Sequence, residues 1–276
     1  MAVQLSHLSS SLLPLARKLH RRVMVPLGKY RVRQIGKEGL PLSFHRPLQF
    51  LFAPKLSGDE QKVVDQVEAI RAKVAERPDL FPVAFADTAD PTRTAAQIAY
   101  RSSVTPEWGT FLYLCAESFR VKTILELGSC AGISGCYLAS SKYCTSFTTI
   151  EKSSPLASLA EANVRQISSN ATVINALFDD ALDDLLPSIN HAIDLAYIDG
   201  HHQYEPTLHY LRRLTPHLRK GSLVVFDDIH WSQGMWEAWK MLRAWKGFSY
   251  TIDVGRFGLG LWDESVAQPT TYNLAW

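Results

Sequence analysis

The segment Thr123-Ile-Leu-Glu-Leu-Gly-Ser-Cys-Ala-Gly-Ile-Ser-Gly135 constrains the fold more than any other part of this chain. Aliphatic and β-branched residues from Val121 to Leu127 predict a β-strand. Gly128 and Gly132 follow, and an apolar helical pattern then runs through Tyr137 and Leu138. A strand, a glycine turn and a helix start in that order let backbone N–H groups at the helix N-terminus approach a ligand closely. The same alternation continues downstream. Strands are expected at 121–127, 146–151, 171–177, 193–198 and 222–226, with helices at about 133–142, 155–167, 180–186, 206–218 and 232–244. The pattern predicts an α/β, doubly wound sheet. Phe248 to Val254 and Phe257 to Trp262 flank Gly255-Arg256 and close it as a C-terminal antiparallel hairpin.

Glycine spacing narrows the ligand. A dinucleotide fingerprint has its first two glycines two apart. Here they are four apart and follow an acid, Glu126-x-Gly128-x-x-x-Gly132. A carboxylate there suits a cationic amino group and would repel a pyrophosphate. The next strand ends in Glu151, which can accept hydrogen bonds from two ribose hydroxyls. These residues resemble motif I of the class I S-adenosylmethionine (SAM) dependent methyltransferases, and five α/β units closed by a hairpin resemble their seven-stranded, Rossmann-like sheet.

Two acidic clusters lie at carboxyl ends of strands, where open α/β sheets place ligands. One is Asp199-Gly-His-His202 and the other is Asp227-Asp228-Ile-His230. Three converging carboxylates repel unless a cation lies among them, and their hard oxygens suit Mg²⁺, Mn²⁺ or Ca²⁺ better than zinc. Asp-Gly-x-His followed by Asp-Asp after the next strand resembles the metal-dependent O-methyltransferases, a group with catechol, caffeoyl-CoA and macrocin-type branches. The resemblance covers residues 95–265. It implies a divalent metal, most simply Mg²⁺, on Asp199, Asp227 and Asp228, and His202 as general base. It implies SAM contacts at Ser103, Glu126, Gly128, Ser129, Gly132, Ser134, Glu151, Asp179 and Asp180. Ser103-Val-Thr-Pro-Glu-Trp-Gly109 resembles the segment that closes over the cofactor. The implied reaction is methyl transfer to a hydroxyl of a small molecule, a phenol, catechol or sugar. Metal-independent transfer to nitrogen or a carboxylate, and a non-catalytic SAM-binding subunit, stand as alternatives.

Structural readings stand beside these roles. Asp199 and Asp179 could cap a turn or a helix, and Asp227-Asp228 could be loop acids. His201 reads as structural or solvent-facing, and His230 as a pocket residue. Trp231 could form a substrate wall, whereas Trp236 and Trp239 read as helix-core packing.

The remainder is organised around that domain, expected at 91–276. Ser57 to Arg77 predicts a helix with Val63, Val64, Val67, Ile70 and Val74 on one face, ended by Pro78. Residues 78–93 read as a connection, a helical piece begins near Thr94, and Thr105-Pro106-Glu107 opens a helix to about Phe119. Residues 1–90 form a partly helical, basic extension. Its first 58 residues hold ten Lys/Arg and one acid, Glu38, with Leu12, Leu13, Leu15, Leu19 and Val23 interleaved among Arg17, Lys18, Arg21 and Arg22. Packing on its own domain or on a second copy is the favoured reading. Organelle targeting and weak membrane-surface contact are the alternatives. Phe44, Phe50 and Phe52 make the extension too apolar for a solubilising tail and suggest that it shapes the acceptor pocket or an oligomer contact. A net charge of +2 gives no whole-chain case for nucleic-acid binding. Cys115, Cys130, Cys136 and Cys144 form no C-x-x-C pair and read as packing residues of a cytoplasmic, reducing setting.

Overall fold

The structure, a computed structural model, describes residues 30, 34–36, 38–82, 92–189 and 193–274. The interleaved Leu/Arg segment at 12–23, with its targeting and membrane-surface alternatives, lies outside the described residues, as does the middle of the 78–93 connection.

The expected strands form one sheet. They are β3 (Thr123–Leu127), β4 (Ser146–Ile150), β5 (Ala171–Ile174), β6 (Ile193–Ile198), β7 (Leu218–Phe226), β8 (Phe248–Asp253) and β9 (Gly258–Trp262). The order is β10-β8-β9-β7-β6-β3-β4-β5, with β9 antiparallel to both neighbours and the other pairs parallel. The eighth strand, β10 (Thr270–Asn273), adds to the edge beyond the expected seven and pairs in parallel with β8. The order reverses between β3 and β6, so the crevice at their carboxyl ends is the topological switch point. A short antiparallel ribbon, β1 (Leu80–Pro82) with β2 (Thr92–Thr94), joins the two ends of the connection.

Helices cover both sheet faces: α1 (His45–Phe52), α2 (Gly58–Ala75), α3 (Pro106–Ser118), α4 (Ile133–Ala139), α5 (Ser154–Val164), α6 (Phe178–Leu185), α7 (Tyr204–Leu214) and α8 (Gln233–Leu242). Strand alternation divides the core in two. Leu195, Tyr197, Leu223 and Val225 pack towards α1–α5, while Ala196, Ile198, Val224 and Phe226 pack towards α6–α8. Pro216 lies in a 3-10 turn that ends α7 at Leu214, earlier than the periodicity suggests. β7 then begins at Leu218 and passes Gly221 at φ +91°.

Residues 38–75 belong to this core. Phe44, Phe50 and Phe52 are buried in one cluster with Phe111 and Ile124. Ser57 and Glu60 form a capping box at the start of α2, and Arg46 pairs with Glu60. Deeper in α2, Arg71 is buried and donates to the carbonyls of Ala99 (2.6 Å) and Val104 (2.7 Å). Arg71 also pairs with Glu68, which accepts from the Tyr137 hydroxyl. That buried fork ties α2 to the π-helical stretch Ile98–Ser102 and so sets the position of Ser103. Among the described residues no helix is long and apolar enough to cross a membrane.

Candidate active site

The turn after β3 is the tightest point of the crevice. Gly128 has φ +100°, and a Cβ there would lie 2.0 Å from the Asp199 carbonyl oxygen. Gly132 has φ +75°, and its Cβ would meet the Ala160 backbone at 2.9 Å. Both positions need glycine for conformation and for approach. Glu151 clamps the turn from β4, accepting from the N–H groups of Cys130 (3.0 Å) and Ser153 (2.8 Å). Burial pushes its carboxyl above the ordinary range, against those hydrogen bonds.

Glu126, one step back on β3, is fully buried, with neither carboxyl oxygen in a well-formed hydrogen bond and only the Ser134 and Thr149 hydroxyls beside it; Ser129 Oγ is buried and unpartnered. Burial pushes Glu126 up to about 7, against the lowering effect of the Ser134 and Thr149 hydroxyls. Ser134 lies buried in the first turn of α4, and Ser103 donates to the Ile98 carbonyl beside Cys130. Ser103, Glu126, Gly128, Ser129, Gly132, Ser134 and Glu151 are thus gathered around one turn. A buried acid with no cationic partner among the described residues, beside a glycine cradle, fits a ligand that carries an ammonium group, as SAM does. Asp179 is not brought to the turn: its carboxylate engages His209 (2.7 Å) and Arg213 (3.4 Å) on α7. Asp180 is exposed. Phe178 faces the turn instead, with ring atoms 3.7 Å from where a Gly128 Cβ would stand.

The second cluster touches the first through that Gly128–Asp199 approach. Asp227 is fully buried, and Arg256 grips it with a two-point fork, Nε to Oδ1 at 2.7 Å and Nη2 to Oδ2 at 2.8 Å. The Tyr197 hydroxyl donates to Oδ2 at 2.7 Å, and the Asp228 N–H donates to Oδ1 at 2.7 Å. Tyr197 also reaches Asp199 at 3.3 Å, and His202 Nε2 lies 3.4 Å from Asp199 Oδ1. Burial, then the charges of Asp227 and Asp228, push the Asp199 carboxyl well above its ordinary range. Asp228 moves the same way, through burial and Asp227. Burial opposes the Arg256 charge, but its bonds to Asp227 and the neighbouring acids outweigh that and hold it protonated.

The structure does not show the expected metal centre on Asp199, Asp227 and Asp228. Among the described residues no group of three or more His, Cys, Asp or Glu side chains is placed to hold an ion. Arg256, from the hairpin turn, occupies both oxygens of Asp227. Backbone strain marks the same place: His201 (φ 63°), His202 (φ 33°) and Asp228 (φ 50°) are left-handed without being glycine. His230 stacks on Trp236 and contacts Asp253 at 3.1 Å. Trp239 is buried and donates to the same Asp253, while Trp231 is exposed. Arg256, Tyr197 and Phe178 are the site residues that sequence reasoning missed.

Residues 125–229 match the family model described as a methyltransferase domain. The fold is similar to a provisionally assigned O-methyltransferase from Klebsiella pneumoniae, at 21% identity, TM-score 0.55, and coverage of 78% of this chain and 94% of that one. An O-methyltransferase from Bacillus cereus in complex with SAH is similar at 19% identity and TM-score 0.54, covering 73% and 91%. Cofactor-bound Rv0187 from MTB is similar at 20% identity and TM-score 0.54, covering 75% and 90%. The uncharacterized protein R132 of Acanthamoeba polyphaga mimivirus is 35% identical over 51 residues, which are 18% of this chain and 23% of that protein. The match therefore spans about a quarter of that relative's length.

Proposed function

We propose that this chain, a class I SAM-dependent methyltransferase by its fold and by the methyltransferase domain at residues 125–229, transfers a methyl group to a hydroxyl of a small molecule of the phenol, catechol or sugar type. SAM, when bound, supplies a methyl already activated on a sulfonium. The chain's residues do the rest. Glu126 and Ser129 offer unpaired polar atoms for the amino-acid end. Gly128 and Gly132 allow close approach, and Glu151, beside the turn, accepts from the ribose hydroxyls. His202 Nε2, held beside Asp199, accepts the acceptor proton.

One observation carries this reading. The cofactor turn and the acidic cluster meet backbone to backbone at Gly128 and Asp199, so donor and acceptor sites are neighbours, as in-line transfer needs. A cavity of about 150 Å³ lined by Leu51, Glu107, Trp108, Val254 and Gly255 adjoins the Arg256 turn and offers space for the acceptor's body. Leu51 brings the N-terminal region into that wall, which supports a role for residues 1–90 in acceptor choice. Four free cysteines suit a cytoplasmic setting. No step is assigned to a divalent metal, because Asp227 is already taken.

The test is calorimetry with SAM, then mass spectrometry of a phenol, catechol and sugar panel. His202→Ala should lower kcat by about 10²–10⁴-fold, with SAM affinity kept and partial recovery at high pH. Undiminished turnover in His202→Ala rejects the base, and failure to bind SAM rejects the whole reading.

A further inference from the structure

We propose that the acidic cluster at the carboxyl ends of β6 and β7 is built around Arg256 in place of a divalent cation, and that this guanidinium receives the acceptor oxygen. The consequence for catalysis rests on the methyl-transfer reading above; the geometry does not. An ionised carboxylate offers about four lone-pair positions on two oxygens. On Asp227 all four are taken, by Arg256 Nε and the Asp228 N–H on Oδ1, and by Arg256 Nη2 and the Tyr197 hydroxyl on Oδ2. The most buried of the three acids therefore has nothing left for a metal. An ion held by Asp199 and Asp228 alone would sit against a guanidinium whose Nε is 3.6 Å from Asp228. That ion would then lie beside the guanidinium that already balances Asp227.

Arg256 is a built part of the site and not a wandering surface chain. Its carbonyl accepts from the Ile229 N–H at 3.2 Å, the Val254 N–H closes the turn on Phe257 at 3.0 Å, and Gly255 donates to Asp253 at 2.9 Å. Phe257 lies under the guanidinium at 5.8 Å and packs on Trp108. Its Nη1 makes no hydrogen bond to the described residues, and the side chain is 24% exposed. Nη1 is therefore the donor available to an oxygen arriving from solvent. The acceptor proton passes to His202, the oxygen lone pair forms the bond to the methyl carbon, and the pair of the broken carbon–sulfur bond stays with sulfur. A guanidinium stabilises the charge that develops on the oxygen by hydrogen bonding, where a metal would do so by ligation.

The test is a Mn²⁺ titration followed by electron paramagnetic resonance, with SAM calorimetry and thermal melting on the same samples. Wild type should show no site tighter than millimolar. Arg256→Ala, which empties the fork, should gain one Mn²⁺ per chain, and Arg256→Ala with Asp227→Asn should lose it again. One Mn²⁺ held by wild type and released by Asp227→Asn overturns the proposal, as does a folded Arg256→Ala that gains no site. Should Arg256→Ala fail to fold, the wild-type titration still decides. Failure of wild type to bind SAM would instead sink the methyl-transfer reading and leave the Mn²⁺ result standing.

Discussion

Gly128→Ala tests the junction of the two sites. The added Cβ would stand 2.0 Å from the Asp199 carbonyl oxygen and 3.0 Å from its carbonyl carbon. Those are backbone atoms held by the Asp199 N–H to Leu127 carbonyl bond (2.9 Å), and Gly128 is held by its own N–H to the Ile150 carbonyl (3.0 Å). No side-chain rotation can relieve the clash, so β3 and β6 must part. Left-handed backbone strain on a non-glycine residue costs about 1–3 kcal/mol, and inserting a methyl into a filled space costs about 1–3 kcal/mol more. We expect a loss of about 4 kcal/mol, roughly 8–16 °C in Tm for a chain of this size. Gly221→Ala is the control. Gly221 has φ +91° but nothing within 4 Å of its would-be Cβ, so it carries the strain without the clash. Thermal melts of both variants isolate the clash by difference. Because the Asp199 carbonyl must move, SAM affinity should also fall at least about tenfold in Gly128→Ala (about 1.4 kcal/mol) and stay unchanged in Gly221→Ala. Equal melting of the two variants, with wild-type SAM binding in Gly128→Ala, would refute the packing argument.

Three further outcomes follow from single residues. Glu151→Ala should weaken SAM binding at least about tenfold by calorimetry, because it removes the ribose acceptor and frees the Cys130 N–H that holds the turn; equal affinity would remove Glu151 from the site. Glu126, raised from its ordinary 4.5 to about 7, favours the protonated folded state, so its contribution to stability is present below about pH 4.5 and is lost as pH rises to about 7. Glu126→Gln should flatten that slope in pH-dependent melts. SAM binding near neutral pH should release a fraction of a proton in wild type only, read from calorimetry in buffers of different ionisation enthalpy. Arg71→Met strands Glu68 and the carbonyls of Ala99 and Val104, and should cost about 3–5 kcal/mol in denaturant melts; a change under about 1 kcal/mol would mean that the buried fork is not what holds the Ser103 loop.

Local information carried the framework. β-branched runs bounded by glycine, the apolar face of 57–77, Pro106 at the start of α3 and the spacing of Gly128 and Gly132 are short-range signals, because each reports a backbone preference or a one-sided burial within a few residues. They placed seven strands and the glycine turn, and they put Asp199, His202, Asp227 and Asp228 at the carboxyl ends of adjacent strands. The charge balance of that cluster was not legible. Arg256 stands 29 residues from Asp227 and reads in sequence as an ordinary hairpin-turn residue. Tyr197 reads as one of several alternating strand positions, yet its hydroxyl fills a lone pair of the central acid. Three acids read without the distant arginine called for a metal; in the fold, Arg256 takes both oxygens of one of them, Asp227. Likewise Asp179 and Phe178 are adjacent in sequence, and only the packing of α7 decided that the acid turns to His209 and Arg213 while the ring faces the glycine turn. Backbone geometry is written locally along a chain, whereas the partner of a buried charge is chosen by whichever element the fold brings within hydrogen-bond reach.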